Sequence, residues 1–310
     1  MKSIVKLLKT KYPIIQGGMA NIADHKLASA VSNAGGLGLI GAGGWDVEKV
    51  RYEVRECKKL TDKPFGVNIM LMSPHAKDIA KMVIEEDVKI VTTGAGSPGI
   101  YMDMWKEAGI IVLPVVPSVS MAKRFASFGA DALIVEGTEA GGHIGELTTM
   151  ALVPQVKDIV DIPVIAAGGI ADGRQMAASF MLGASGIQIG TVLLSAKECP
   201  IHDNYKEAII KAKDTSTIVT GRETNAPVRV IKNKMAKEYI KLSRDGIDLE
   251  ELEKLTLGSL SRAVFDGDTV TGSLMAGQVS GMIKEIKTTK EILDDMVNKS
   301  LELLKEDKYE

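Results

Sequence analysis

The chain has 310 residues, a formal net charge of −2 and 45% hydrophobic residues. That composition suits a globular protein with a large core, and the slight acidity argues against a nucleic-acid binder. Two cysteines, Cys57 and Cys199, are too few for a disulfide framework and fit a reducing compartment.

From the first residue, lysines interrupt each apolar run, so no signal-peptide core is expected. No apolar stretch approaches the ~20 residues of a membrane helix. The expectation is a cytoplasmic protein with no membrane contact. Eight short β-branched runs then follow in order: Pro13–Met19, Leu37–Ala42, Phe65–Met70, Lys89–Thr93, Ile110–Val116, Ala132–Glu136, Pro163–Ala167 and Gly186–Gly190. Between them lie stretches with apolar residues at helical spacing, among them Asp46–Lys59, His75–Glu86, Ser118–Phe128 and Asp172–Leu182. Continuous apolar strands alternating with helices predict a parallel sheet buried on both faces, and eight units close into a (β/α)8 TIM barrel. An open doubly wound sheet is the rival. Gly94-Ala-Gly96-Ser-Pro-Gly99 matches a dinucleotide-binding glycine pattern, but the next strand ends Val115-Val116-Pro117 without the acidic residue that would hold a ribose.

After Thr191 the rhythm breaks. The expected elements are a helix over 203–213, strands near Ile218–Thr220 and Val228–Ile231, helices around 233–242 and 248–265, and a terminal helix over 289–306. The predicted domains are a barrel over 1–199, a smaller inserted cap over 200–275, and helices returning to the barrel over 276–310.

Barrels bind ligands at the C-terminal ends of their strands. Run seven leads into Ala167-Gly168-Gly169, and run eight ends Gln188-Ile189-Gly190-Thr191. Glycines there let backbone N–H groups approach a phosphate, commonly at a helix N-terminus, and Thr191 adds a hydroxyl. Run one ends in Gly18, Met19 and Ala20, which suit one face of a flat ring. Asn68 on run three suits its polar edge. Met19 and Met70 read equally well as core filler. Run six leads into Glu136-Gly-Thr-Glu139-Ala-Gly141-Gly142-His143, which combines two carboxylates, glycines and a histidine able to move a proton near neutral pH. A histidine that only braces its loop is the plainer alternative. There is no HExxH, CxxC or close histidine pair, so no metal site is expected. Cys57 falls inside a lysine-rich helix, Cys199 has no base nearby in sequence, and no GxSxG elbow is present.

The strings Gln16-Gly-Gly-Met-Ala20, Gly66-Val-Asn-Ile-Met70, Glu139-Ala-Gly-Gly-His-Ile-Gly145, Ala166-Ala-Gly-Gly-Ile-Ala-Asp-Gly173 and Met275-Ala-Gly-Gln278 resemble the nitronate monooxygenase superfamily. Within it, Glu139–Met150 and Pro114-Val-Val-Pro-Ser118 resemble the flavin-dependent type II enoyl-acyl-carrier-protein reductases. The resemblance implies FMN as cofactor, NAD(P)H as co-substrate, an enoyl substrate carried on acyl carrier protein, and a homodimer. It implies that Ala167, Gly168, Gly169, Gly190 and Thr191 hold the FMN phosphate. Met19, Ala20, Asn68, Glu136 and Gln188 would line ribityl or ring, with Met275 and Gln278 approaching from the tail segment. Gly18, Gly141 and Gly142 complete the expected cofactor set, and His143 is the expected catalytic residue. Nitronate oxidation with oxygen is the alternative activity. The chain departs from the family pattern at Asn21, where an aromatic is expected, and at Asn225-Ala226 before Pro227-Val228-Arg229, where Gly-His is common. An acidic carrier calls for a basic entrance, and Arg222, Arg229, Lys232 and Lys234 cluster within the cap, where they read equally well as a solvated surface.

Overall fold

The computed structural model describes residues 4–305, so the outermost ends of the expected domains and the last residue of the expected terminal helix lie outside the described residues. The eight runs form eight parallel strands: β1 Ile14–Gln16, β2 Gly38–Gly41, β3 Phe65–Met70, β4 Ile90–Gly94, β5 Ile111–Val116, β6 Leu133–Glu136, β8 Val164–Ala167 and β9 Gly186–Ile189. Their order is β1-β9-β8-β6-β5-β4-β3-β2. A parallel bridge between Ile15 and Leu37 brings β1 back to the start of β2 and closes the (β/α)8 barrel. Asp24, Asp46, Ser118 and Asp172 begin four of the outer helices, each side chain accepting backbone N–H bonds of the first turn. The helix Thr289–Lys305 packs against both Gly173–Met181 and His25–Asn33, and so completes the outer ring between them. Everything between β9 and that helix is an insertion.

Strand alternation divides the barrel interior along its axis. Ile15, Leu39, Ile90, Leu113, Ile134 and Ile165 form an apolar layer, plugged from below by Ile4 and Leu8 of the helix Ile4–Leu8. Two residues further along the same strand faces come Gly41, Thr92, Glu136 and Ala167, so the upper interior turns polar.

The insertion contributes a three-stranded antiparallel sheet, ordered β10 Thr217–Thr220, β11 Val228–Ile231, β7 Gly142–His143. β7 comes from the loop after β6, and its two glycine-flanked residues carry no strand signal in the sequence. Tyr205, Ile209, Ile231 and Leu274 of the insertion share one hydrophobic cluster with the barrel helices. The expected helix 248–265 is broken: Leu249–Thr256 ends before Gly258, whose φ of 68° stops the helix, and a π-helical turn follows at Arg262–Asp266.

Candidate functional site

A cavity of about 500 Å³ opens at the C-terminal ends of the strands, beneath the hairpin of the insertion. Gly18, Met19, Ala20, Asn68, Glu136, Gly141, Gly142, His143, Ala167, Gly168, Gly169, Gln188, Gly190, Thr191 and Met275 all line it. Gln278 does not. Its side chain is exposed and its N–H donates to the Glu139 carbonyl at 2.9 Å, so it braces a loop beside the cavity.

β8 and β9 pair with Ala167 opposite Gln188, which makes the two glycine turns immediate neighbours. Gly168 and Gly169 adopt φ of 89° and 74°, a left-handed region that other residues enter at a cost. A Cβ on Gly168 would lie 2.7 Å from the Gly137 carbonyl oxygen. The Thr191 hydroxyl accepts the Gly277 N–H at 2.9 Å, leaving its own hydrogen to donate. The helix after the first turn contributes no free N-terminus. Asp172 accepts the Arg174 N–H, and Gln175 accepts the Asp172 N–H, so a capping box already occupies that end. An oxyanion here would meet the turn amides and Thr191, which opens the short 3-10 helix Thr191–Ser195, a helix start without a side-chain cap.

The cavity floor is polar. Asn68 donates to the Thr92 hydroxyl at 2.9 Å. Among the described residues, Glu136 and Gln188 make no side-chain hydrogen bond, though both line the cavity. Burial pushes the Glu136 carboxyl up to about 7. Gly18 lies so close to Asn68 that any Cβ would overlap the amide, which fixes the first turn against the third strand.

The second carboxylate of the β6 loop has a structural task. Glu139 accepts the Thr149 N–H and hydroxyl at 2.9–3.1 Å. His143 is exposed to the cavity, and neither ring nitrogen has a partner among the described residues. Desolvation lowers its pKa below the usual imidazole value, which favours the neutral ring.

Gly94, Ala95 and Gly96 also line the cavity, as do Asn225, Ala226 and Pro227 at the hairpin tip. The glycines at the C-terminal end of β4 resemble a dinucleotide motif, yet the rule that barrel strand ends face the ligand would have found them. Nothing in the sequence places the hairpin tip there, because the fold brings it across from the insertion. Of the four cations expected at the entrance, three are exposed: Arg222, Lys232 and Lys234. Arg222 pairs with Glu146 at 2.6 Å, Lys232 donates to the Thr215 carbonyl, and Arg229 is buried. Burial pushes both cysteine thiols up to about 12, far from a reactive thiolate. Asp24, His25 and Glu53 converge on the outer wall, where Lys49 pairs with one Glu53 oxygen and His25 Nδ1 with the other, each at 2.6 Å. Among the described residues, no helix is long and apolar enough to cross a membrane.

A parallel eight-stranded barrel with a cavity at its C-terminal face, lined by glycine turns on two adjacent strands, a few unpartnered polar side chains and a histidine over the opening, defines a barrel enzyme of the cofactor-binding kind. The family described as nitronate monooxygenase matches residues 2–86 and 79–299. The chain belongs to that family of oxidoreductases. It is 33% identical to a probable nitronate monooxygenase of Staphylococcus saprophyticus, over 97% of this chain and 98% of that one. It is 31% identical to a (3aS,4S,5R,7aS)-5-hydroxy-7a-methyl-1-oxo-octahydro-1H-indene-4-carboxyl-CoA dehydrogenase of Mycobacterium tuberculosis, over 95% and 94%. Among solved structures, FabK from Thermotoga maritima superposes with a TM-score of 0.95 at 46% identity, covering 98% of this chain and 97% of that one. A nitroalkane oxidase from Streptomyces ansochromogenes gives 0.85 at 27% identity, covering 96% and 98%.

Proposed function

We propose that this protein is an FMN-dependent enoyl-acyl-carrier-protein reductase that uses NAD(P)H to reduce trans-2-enoyl thioesters. The observation that carries this reading is the meeting, in one cavity, of the paired glycine turns, the unpartnered Glu136 and Gln188, and the free His143 ring. Those features fit FMN. Gly168, Gly169, Gly190 and Thr191 would hold its phosphate. Asn68, Glu136 and Gln188 would meet its hydroxyls and ring edge, and Gly18, Met19 and Ala20 one ring face. The chemistry such a group supplies when bound is two-electron transfer between NAD(P)H and the enoyl β-carbon. His143 then delivers the proton that the substrate α-carbon requires. The reductase branch is supported by the reductase-like strings of the sequence and by 46% identity to FabK, against 27% to the nitroalkane oxidase. The dehydrogenase relative, named for a carboxyl-CoA compound, supports a thioester substrate.

One observation favours a second reading. A neutral ring at His143 suits a base, as nitroalkane oxidation would need, better than an acid. The two roles differ in sign. As proton donor, His143 must be protonated, so kcat rises as pH falls toward its lowered pKa. As base, the rate falls over the same interval.

The test is anaerobic. FMN-loaded protein should be bleached by NAD(P)H and regain its colour on addition of crotonyl thioester, with kcat rising below pH 7. Failure to reoxidise with any enoyl thioester, together with oxygen uptake on a nitronate in the absence of NAD(P)H, would replace this activity with the nitronate one. The carrier-linked substrate and the homodimer belong to the same proposal, and sedimentation of the purified chain tests the latter.

A further inference from the structure

His143 has no side-chain hydrogen bond among the described residues, so its backbone takes the larger part in setting its place over the cavity. That backbone pairs along one edge with β11. His143 pairs with Val228 and Gly142 with Arg229, and the Ile144 N–H donates to the Pro227 carbonyl at 3.1 Å. Such a two-residue strand has no stability of its own; β11 supplies it.

The Arg229 side chain holds the other end of the same loop. Its Nε and Nη2 donate to the Thr138 carbonyl at 3.1 and 3.0 Å, and its Nη1 reaches the Thr217 hydroxyl at 3.4 Å. Thr138 in turn donates its N–H to the Leu147 carbonyl at 2.8 Å, closing the base of the loop 138–147. One residue therefore grips the loop twice, by backbone at Gly142 and by guanidinium at Thr138. Arg229 is 7% exposed, and no carboxylate touches it among the described residues. Glu139, the opposite charge that acts on it, is committed to Thr149. A buried cation whose hydrogen bonds go to a carbonyl is poor material for stability, because the cost of its desolvation is not offset by an ion pair. The planar fork is, however, well shaped to fix one oxygen with two N–H groups.

We propose that Arg229 is the positioning residue of His143: its fork on Thr138 and its strand pairing with Gly142 lock the loop 138–147 so that the imidazole stands over the cavity. The inference rests on the reading of His143 as the proton-transfer residue. The hairpin tip, Asn225 to Pro227, lines the cavity two residues before Arg229, so a ligand touching the tip touches the splint that holds the histidine.

The test compares FMN-loaded wild type with Arg229→Met and Arg229→Lys by amide hydrogen exchange and steady-state kinetics. In Arg229→Met, amides of 138–147 should exchange at least about tenfold faster, while β4 and β5 stay unchanged. FMN affinity should stay within about threefold, since the glycine turns lie on other strands. For crotonyl thioester, kcat should fall at least about tenfold with KM nearly constant. Arg229→Lys, which keeps the charge but loses the fork, should lie between the two. Unchanged exchange over 138–147 in Arg229→Met, or a loss that appears only in KM, overturns the proposal. If Arg229→Met does not fold, Arg229→Lys decides alone: exchange over 138–147 identical to wild type overturns it. A wild type without enoyl thioester turnover would sink the reductase reading instead, and the exchange comparison would still decide on Arg229.

Discussion

The lower and upper halves of the barrel interior are built from the same strands and obey opposite rules. Below, Ile15, Leu39, Ile134 and Ile165 close on Ile4 and Leu8 with no polar side chain in the layer. Above, only two residues further along the same faces, Glu136 and Gln188 stand without partners beside a cavity. The lower half is made to be stable. The upper half leaves polar groups incomplete, and such groups are retained where a ligand completes them. Stability and chemistry are thus separated along the strand axis by a single step of side-chain alternation.

Substitutions should break this contrast in a graded way. The largest effect belongs to His143→Ala, which should lower kcat by about 10²–10⁴ while FMN affinity stays constant, as read by steady-state kinetics and flavin fluorescence. A decrease of less than about fivefold would remove His143 from the chemistry. Next comes the lower half: Leu39→Ala should cost ~2–5 kcal/mol in denaturant unfolding, with turnover of the folded fraction preserved. Glu136 tests the upper half with the opposite sign. Its folded pKa, about 7, lies above that of an unfolded carboxyl, so its ionisation destabilises the fold as pH rises from about 4.5 to 7. Glu136→Gln should therefore be more stable than the ligand-free wild type at pH 8, by ~1–3 kcal/mol, and no more stable at pH 4. A constant difference across that range would show that the carboxyl is not strained by burial. The smallest effect is expected at the rim, where Arg222 and Glu146 form an exposed pair: Arg222→Ala should change stability by less than ~1 kcal/mol.

The fold was legible because a parallel barrel strand is buried on both faces and reads as an uninterrupted β-branched run. Leu37–Ala42 and Gly186–Gly190 needed no context to be recognised. The candidate site was legible for a related reason, since the residues just after such runs, Gly168 and Gly190 among them, are placed by the barrel itself, whereas His143 lies further out on a loop that β11 supports. What the sequence hid depends on tertiary partners. β7 is a strand only because β11 lies beside it. Arg229 reads as a surface cation and proves to be a buried clamp. Gln278 reads as a cofactor contact by resemblance, yet the chain turns its side chain outward at that point. Gly94 and Gly96 resemble a dinucleotide motif, and their actual place follows from the C-terminal end of β4.

The grip of the two glycine turns on a phosphate can be measured by titrating the ligand-free protein with FMN and with riboflavin, which differ in that group alone. Wild type should bind FMN at least about 100-fold more tightly, as two or more charge-assisted hydrogen bonds would require, and Gly168→Ala should erase the preference. Equal affinity of the wild type for the two compounds would contradict the account.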